Sequence, residues 1–166
     1  LQEDAAVDQM TKENLLLVPG LLCNAELWAH QAEHLADIAN ISVADTLADD
    51  SISDMAERIL DAAPREFSLA GLSMGGYVAQ EILRLAPERV RRLALLNTSA
   101  RPDSDEKKRQ RRGLISLART GKFKGVTPRL LPLLIHAARL EEEPLTQRIM
   151  EMAVDVGQAA FLRQQT

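Results

Sequence analysis

Residues 71–75 read Gly-Leu-Ser-Met-Gly, and this G-x-S-x-G run stands between a strand-like stretch, FSLAGL, and a helix-like stretch running to Ala86. In that setting the chain must turn so sharply from strand to helix that Ser73 sits in a strained backbone conformation. Its Oγ would project at the carboxyl end of the sheet, where open α/β folds bind ligands. Side chains at Gly71 and Gly75 would collide with neighbours of the turn, and Gly76 extends the glycine run. The chemistry served is nucleophilic attack on an acyl carbon, with the helix N-terminus favouring negative charge on the substrate oxygen. The plainer alternative is a glycine-rich strand–helix turn that tolerates a serine.

Acyl transfer also needs two backbone N–H donors aimed at that oxygen, and losing one typically costs ~3 kcal/mol of barrier. Met74 N–H, immediately after Ser73, is the natural first donor, and Leu21 N–H, just past Pro19-Gly20, is the natural second. Ser73 further requires a base within hydrogen-bond reach and a carboxylate to orient it. After Ser73 the only histidine is His136, in LLPLLIHAARL, which reads as the middle of an apolar helix and a poor place for a base. His30 and His34 have the spacing of a zinc-binding helix face, but HQAEH lacks the glutamate beside the first histidine. They read as a solvated face, and no metal or cofactor is expected.

The elements that must position these residues follow from periodicity. NLLLV before Pro19-Gly20 reads as a strand buried on both faces. Asn24 then caps a helix with Trp28, Ala32, Leu35 and Ala39 at helical spacing. A brief strand at 41–44 follows, then a helix capped by Ser53, with Met55, Ile59 and Ala62 inward and Pro64 as its stop. FSLAGL is the third strand, and Val78, Ile82 and Leu85 mark the inner face of the helix after it. VRRLALL is the fourth strand. Strands alternating with helices imply an α/β fold, a mostly parallel sheet covered by helices on both faces. Beyond Asp103 the alternation stops, and helices are expected at roughly 104–120, 126–140 and 143–164.

VPGLLCNAELW followed by AGLSMGGYVAQEILRLAPERVRRLALLNTSA resembles the small, capped, esterase-like members of the α/β-hydrolase superfamily. The resemblance covers nearly the whole chain from Asn14. It implies an N-terminal extension over 1–13, the N-terminal part of the hydrolase core over 14–102, and a helical cap over 103–166. It also implies Leu21 as the second oxyanion donor, although many members carry His-Gly where this chain has Pro19-Gly20. Cap residues Phe123, Leu130, Leu134 and Met152, together with Leu22, become candidates for the substrate pocket. In the family the acid and histidine follow the cap on later strands. Neither is recognisable here, so the chain reads as an N-terminal portion lacking roughly 60–90 residues of strand and helix. The implied substrate is a small ester or thioester. A serine at position 73 disfavours the epoxide and haloalkane branches, whose nucleophile is Asp.

The 166 residues carry a net charge of −4, which argues against a nucleic-acid binder. The cluster Lys107, Lys108, Arg109, Arg111 and Arg112 follows Asp103, Asp105 and Glu106, a pattern of ion pairing along an exposed helix. Cys23 stands alone, so no internal disulfide can form, and a cytoplasmic setting is expected. No apolar run approaches the ~20 residues of a membrane span. The competing reading is a non-catalytic fragment that binds ligands or associates with itself through the sheet edge at Leu93 to Leu96.

Overall fold

The computed structural model describes residues 12–166, so the extension expected over 1–13 lies outside the described residues except for Lys12 and Glu13, and Glu13 begins the first strand. Four parallel strands, β1 (Glu13–Val18), β2 (Ala39–Val43), β3 (Phe67–Leu72) and β4 (Val90–Leu96), form one sheet in the order β2-β1-β3-β4. The helices between them are α1 (Ala29–His34), extended at its start by a 3₁₀ turn at Ala25–Trp28, α2 (Ile52–Ala62) and α3 (Met74–Leu85).

Alternation along the inner strands feeds two cores, because successive side chains leave a strand on opposite faces. Leu16, Val18, Phe67 and Leu69 pack with Met55, Ala56 and Ile59 of α2 and Val78, Ala79 and Ile82 of α3. On the other face Leu17 and Ala70 meet Trp28, with Ile41 and Val43 against them. The sheet is thus flanked by helices, as its pattern predicted.

Several boundaries differ from the sequence reading, each for a local reason. The first helix stops at His34 rather than Ala39, because Ala39 pairs with Glu13 and begins β2. Ser51, not Ser53, caps α2: its hydroxyl accepts from Asp54 N–H at 3.0 Å, while Ser53 lies inside the helix and bonds Glu81 at 2.8 Å. Ala62 is exposed, and Ala56 takes the inner position instead.

After β4 the chain is helical but less regular than expected. α4 (Asp105–Leu117) is capped by Ser104 and runs into a wide turn at Ala118–Lys122 that closes on Gly121 at φ 75°. The helix expected at 126–140 does not form. Two short 3₁₀ turns, Leu131–Leu133 and Ala137–Arg139, stand there instead, since Pro128 and Pro132 each remove an amide donor from the would-be ladder. α5 (Glu143–Gln165) is interrupted at Gly157, where φ is 78° and ψ 171°.

Candidate functional site

β3 passes into α3 through Ser73 alone, with φ 54° and ψ −115°. A non-glycine residue there costs of order 1–3 kcal/mol and persists only where its surroundings hold it. Three bonds do so. Ser73 N–H donates to Leu96 O at 2.9 Å, Gly76 N–H to Ser73 O at 3.0 Å, and Thr98 Oγ1 to Ser73 O at 2.7 Å.

The glycines around the turn are required by space. A Cβ at Gly71 would stand 2.2 Å from Gly75 O, one at Gly75 would stand 2.2 Å from Val18 O, and one at Gly76 would meet the Thr98 side chain at 2.4 Å. The start of α3 is therefore pressed against the end of β1 and the loop after β4. This contact also brings the loop after β1 beside Ser73, since a Cβ on Gly20 would lie 3.4 Å from Ser73 Cβ.

Leu21, Ser73 and Met74 line one open cavity of about 1280 Å³. Neither the Leu21 nor the Met74 amide has an acceptor among the described residues. The loop carrying Leu21 is shaped by Leu22 at φ 58° and by a Cys23 N–H bond to Gly20 O at 3.2 Å. From α5, Gln164 reaches back across the molecule. Its Oε1 accepts from Leu22 N–H at 3.2 Å, and its Nε2 donates to Thr46 O at 3.1 Å. No sequence signal marks Gln164 or Thr98, because both act on groups remote in the chain.

The candidate pocket residues lie elsewhere. Leu22, Phe123, Leu130, Leu134 and Met152 are not part of the cavity holding Ser73. Phe123 packs on Phe161 with ring centroids 5.2 Å apart, Met152 is buried, and Leu130 and Leu134 face solvent. The missing regular helix at 126–140 explains the last two: short proline-bounded turns have no continuous apolar stripe to lay over the sheet.

The cavity's titratable wall contains carboxylates and cations, and among the described residues no histidine. Glu81 accepts from Arg84 at 2.7 Å and Ser53 at 2.8 Å, bonds that pull its carboxyl down to about 2. Asp103 is held below the usual carboxylate range chiefly by its bond to Arg111. His136 caps the turn at Ala137–Arg139, its Nδ1 accepting from Ala138 N–H at 3.2 Å, and is not in a helix interior as its apolar neighbours suggested. His30 and His34 are exposed and stack on each other with ring centroids 4.0 Å apart. Burial pushes the Cys23 thiol up to about 11, leaving it a neutral hydrophobe. Among the described residues no three metal-ligating side chains cluster, and no helix is long and apolar enough to cross a membrane.

No family model matches the chain. Among curated proteins it is similar to a pimeloyl-[acyl-carrier protein] methyl ester esterase of Photobacterium profundum, 29% identical over 126 residues, covering 71% of this chain and 44% of that protein. Among solved structures, 93% of the chain matches 64% of a thermophilic esterase from Thermogutta terrifontis in its malate-bound form, at 28% identity and TM-score 0.73. The enol-lactonase from Burkholderia xenovorans LB400 matches over the same shares, 93% and 64%, at 22% identity and TM-score 0.76. The chain thus spans less than half of the curated relative and about 64% of either solved one. A parallel sheet flanked by helices that matches these enzymes over 93% of the chain, joined to a sequence likeness with two esterases, gives this chain the α/β-hydrolase fold.

Proposed function

We propose that the chain carries the nucleophile and the oxyanion hole of a serine hydrolase acting on small carboxylic esters or thioesters. Ser73 attacks the acyl carbon, its Oγ–C bond forming as the carbonyl π pair moves onto oxygen. The Leu21 and Met74 amides receive that oxyanion. The Ser73 proton passes to a base that the described residues do not supply, and collapse of the tetrahedral adduct expels the alcohol or thiol. Gly71, Gly75 and Gly76 serve as the elbow that lifts Ser73 out of the sheet. The helical residues from Asp103 onward are read as the cap, and no cofactor takes part. A cytoplasmic setting belongs to the same proposal, as do the absence of nucleic-acid and membrane partners.

The single observation that carries this reading is the backbone of Ser73, held at φ 54° between β3 and α3 by three hydrogen bonds in a turn so close that only glycine fits at positions 71, 75 and 76. Strain at one serine facing a cavity is the kind of local cost that persists at functional sites. The esterase named in the curated match and the esterase and lactonase of the solved structures support the reaction class.

The test is covalent labelling. A fluorophosphonate probe labels the wild-type chain at Ser73 slowly, labelling vanishes in Ser73→Ala, and turnover of p-nitrophenyl butyrate stays weak because no histidine among the described residues lines the cavity. Absence of labelling in a folded chain overturns the nucleophile. Rapid turnover lost in Ser73→Ala overturns the missing base.

A second reading rests on a separate observation. Among the described residues β4 has no neighbour on its outer side, and Leu93, Leu95 and Leu96 are 36%, 44% and 38% exposed. Such an edge can pair with another chain. On this reading the isolated chain self-associates there, and Leu95→Lys returns it to a monomer by analytical ultracentrifugation.

A further inference from the structure

The cavity beside Ser73 is cationic in a chain whose net charge is −4. Arg84, Arg101, Lys107, Lys108, Arg111 and Arg112 line it, against Glu81 and Asp103. Both carboxylates are already engaged, Glu81 with Arg84 and Ser53, Asp103 with Arg111. Arg111 also donates to Gln165 Oε1 at 2.9 Å, and Lys108 stands 4.0 Å from Asp105. Arg101, Lys107 and Arg112 make no salt bridge among the described residues, although Lys107 is near enough to Asp103 to help lower its carboxyl pKa.

The sequence pattern suggested that α4's basic residues would be neutralised along their own helix. The structure instead leaves several of them lining the wall. The same cavity joins Leu21, Ser73, Met74 and Tyr77 to cations from the loop after β4 and from α4. A neutral acyl chain has no use for such a wall. An anion there would be drawn by a concave field of one sign, and a planar carboxylate suits the fork of an arginine.

We propose that this wall selects esters bearing a free carboxylate distal to the ester bond, the hemiesters of dicarboxylic acids, with Arg101, Lys107 and Arg112 as the recognising residues. The proposal rests on Ser73 being the nucleophile, since that fixes which end of the substrate lies at the turn.

Binding is measured by calorimetry on Ser73→Ala, which cannot turn the ligand over, using monomethyl glutarate, dimethyl glutarate and acetate. The hemiester is expected to bind about fivefold more tightly than the diester, in keeping with a partly exposed ion pair, and the preference shrinks as salt is raised. Arg101→Gln, Lys107→Gln and Arg112→Gln together abolish the preference and leave the circular dichroism unchanged. Equal affinity for hemiester and diester, no measurable hemiester binding, or a preference surviving in the triple variant overturns the proposal. Acetate binding as tightly as the hemiester also overturns it, revealing general attraction of anions. Fluorophosphonate labelling of the wild type separates the two readings. Failed labelling with a retained hemiester preference removes the nucleophile alone, and labelling without the preference removes only the carboxylate site.

Discussion

β3 and β4 lie side by side, pairing Leu69 with Leu93, Gly71 with Leu95 and Leu72 with Leu96, yet their surroundings differ sharply. Both are short and leucine-bearing, FSLAGL and VRRLALL, although β4 also carries Arg91 and Arg92. In β3 nearly every side chain is buried or half-buried, whereas in β4 all but Val90 face solvent. β3 has a strand on each side and α3 folded back on it; among the described residues β4 has a strand on one side only. Leucines in adjacent strands, Leu69 and Leu93, are therefore buried to different extents, because burial belongs to neighbours and not to the residue alone. The strained turn hangs from the interior strand, where packing can hold Ser73 in place, yet its amide is tied to the exposed strand through Leu96 O.

The largest expected effect tests the interior side of this contrast. Gly75→Ala places a methyl 2.2 Å from the Val18 carbonyl. A backbone collision there cannot relax cheaply, so a loss above about 4 kcal/mol or failure to fold is expected. Its control is Gly113→Ala on α4, where nothing lies within 4 Å; there helix propensity predicts a gain of up to about 1 kcal/mol. Urea denaturation of both variants checks the pair, and a mild effect at Gly75 would show that the turn is not held by contact with β1.

Next comes the strand comparison itself. Leu69→Ala, at 1% exposure, is expected to cost about 2–5 kcal/mol. Leu95→Ala, half in water, is expected within about 0.5 kcal/mol. A comparable loss at Leu95 in the monomer would mean that β4 is covered in solution.

A smaller effect probes how the turn is tied to the helical segment. Gln164→Leu strips the partners from Leu22 N–H and Thr46 O, at about 1–3 kcal/mol for the groups left unpaired. Slower fluorophosphonate labelling should accompany the loss of stability if the Leu21 amide shifts with its loop; unchanged labelling confines Gln164 to stability.

The smallest effect is electrostatic. Glu81 joins α3 to Ser53 of α2 and has its pKa lowered from 4.5 to about 2. The unfolded chain binds this proton more readily, so the contribution is complete above the ordinary glutamate range and is lost as pH falls toward about 2. Glu81→Gln should flatten the dependence of Tm on pH in that interval and leave its slope near neutrality unchanged.

The strands and the serine turn were legible because each follows from local rules. Phe67–Leu72 and Val90–Leu96 form strands over the bounds their residue types predict. The segment at 126–140 is not legible from its apolar content, because Pro128 and Pro132 lack the amides a regular helix needs. The pocket residues assigned there moved away from the cavity with it.

The sequence by itself determined the order of elements, the parallel sheet and the position of Ser73. These rest on chain periodicity and on steric demands within a few residues, such as Gly71 against Gly75. Tertiary structure alone decided that Gln164 braces Leu22, that Thr98 holds the Ser73 carbonyl, and that cations from α3 and α4 converge on the serine cavity. Partners in those contacts are separated by as many as 142 residues. Nothing local selects them, and they exist only once burial of the sheet has fixed where each element ends.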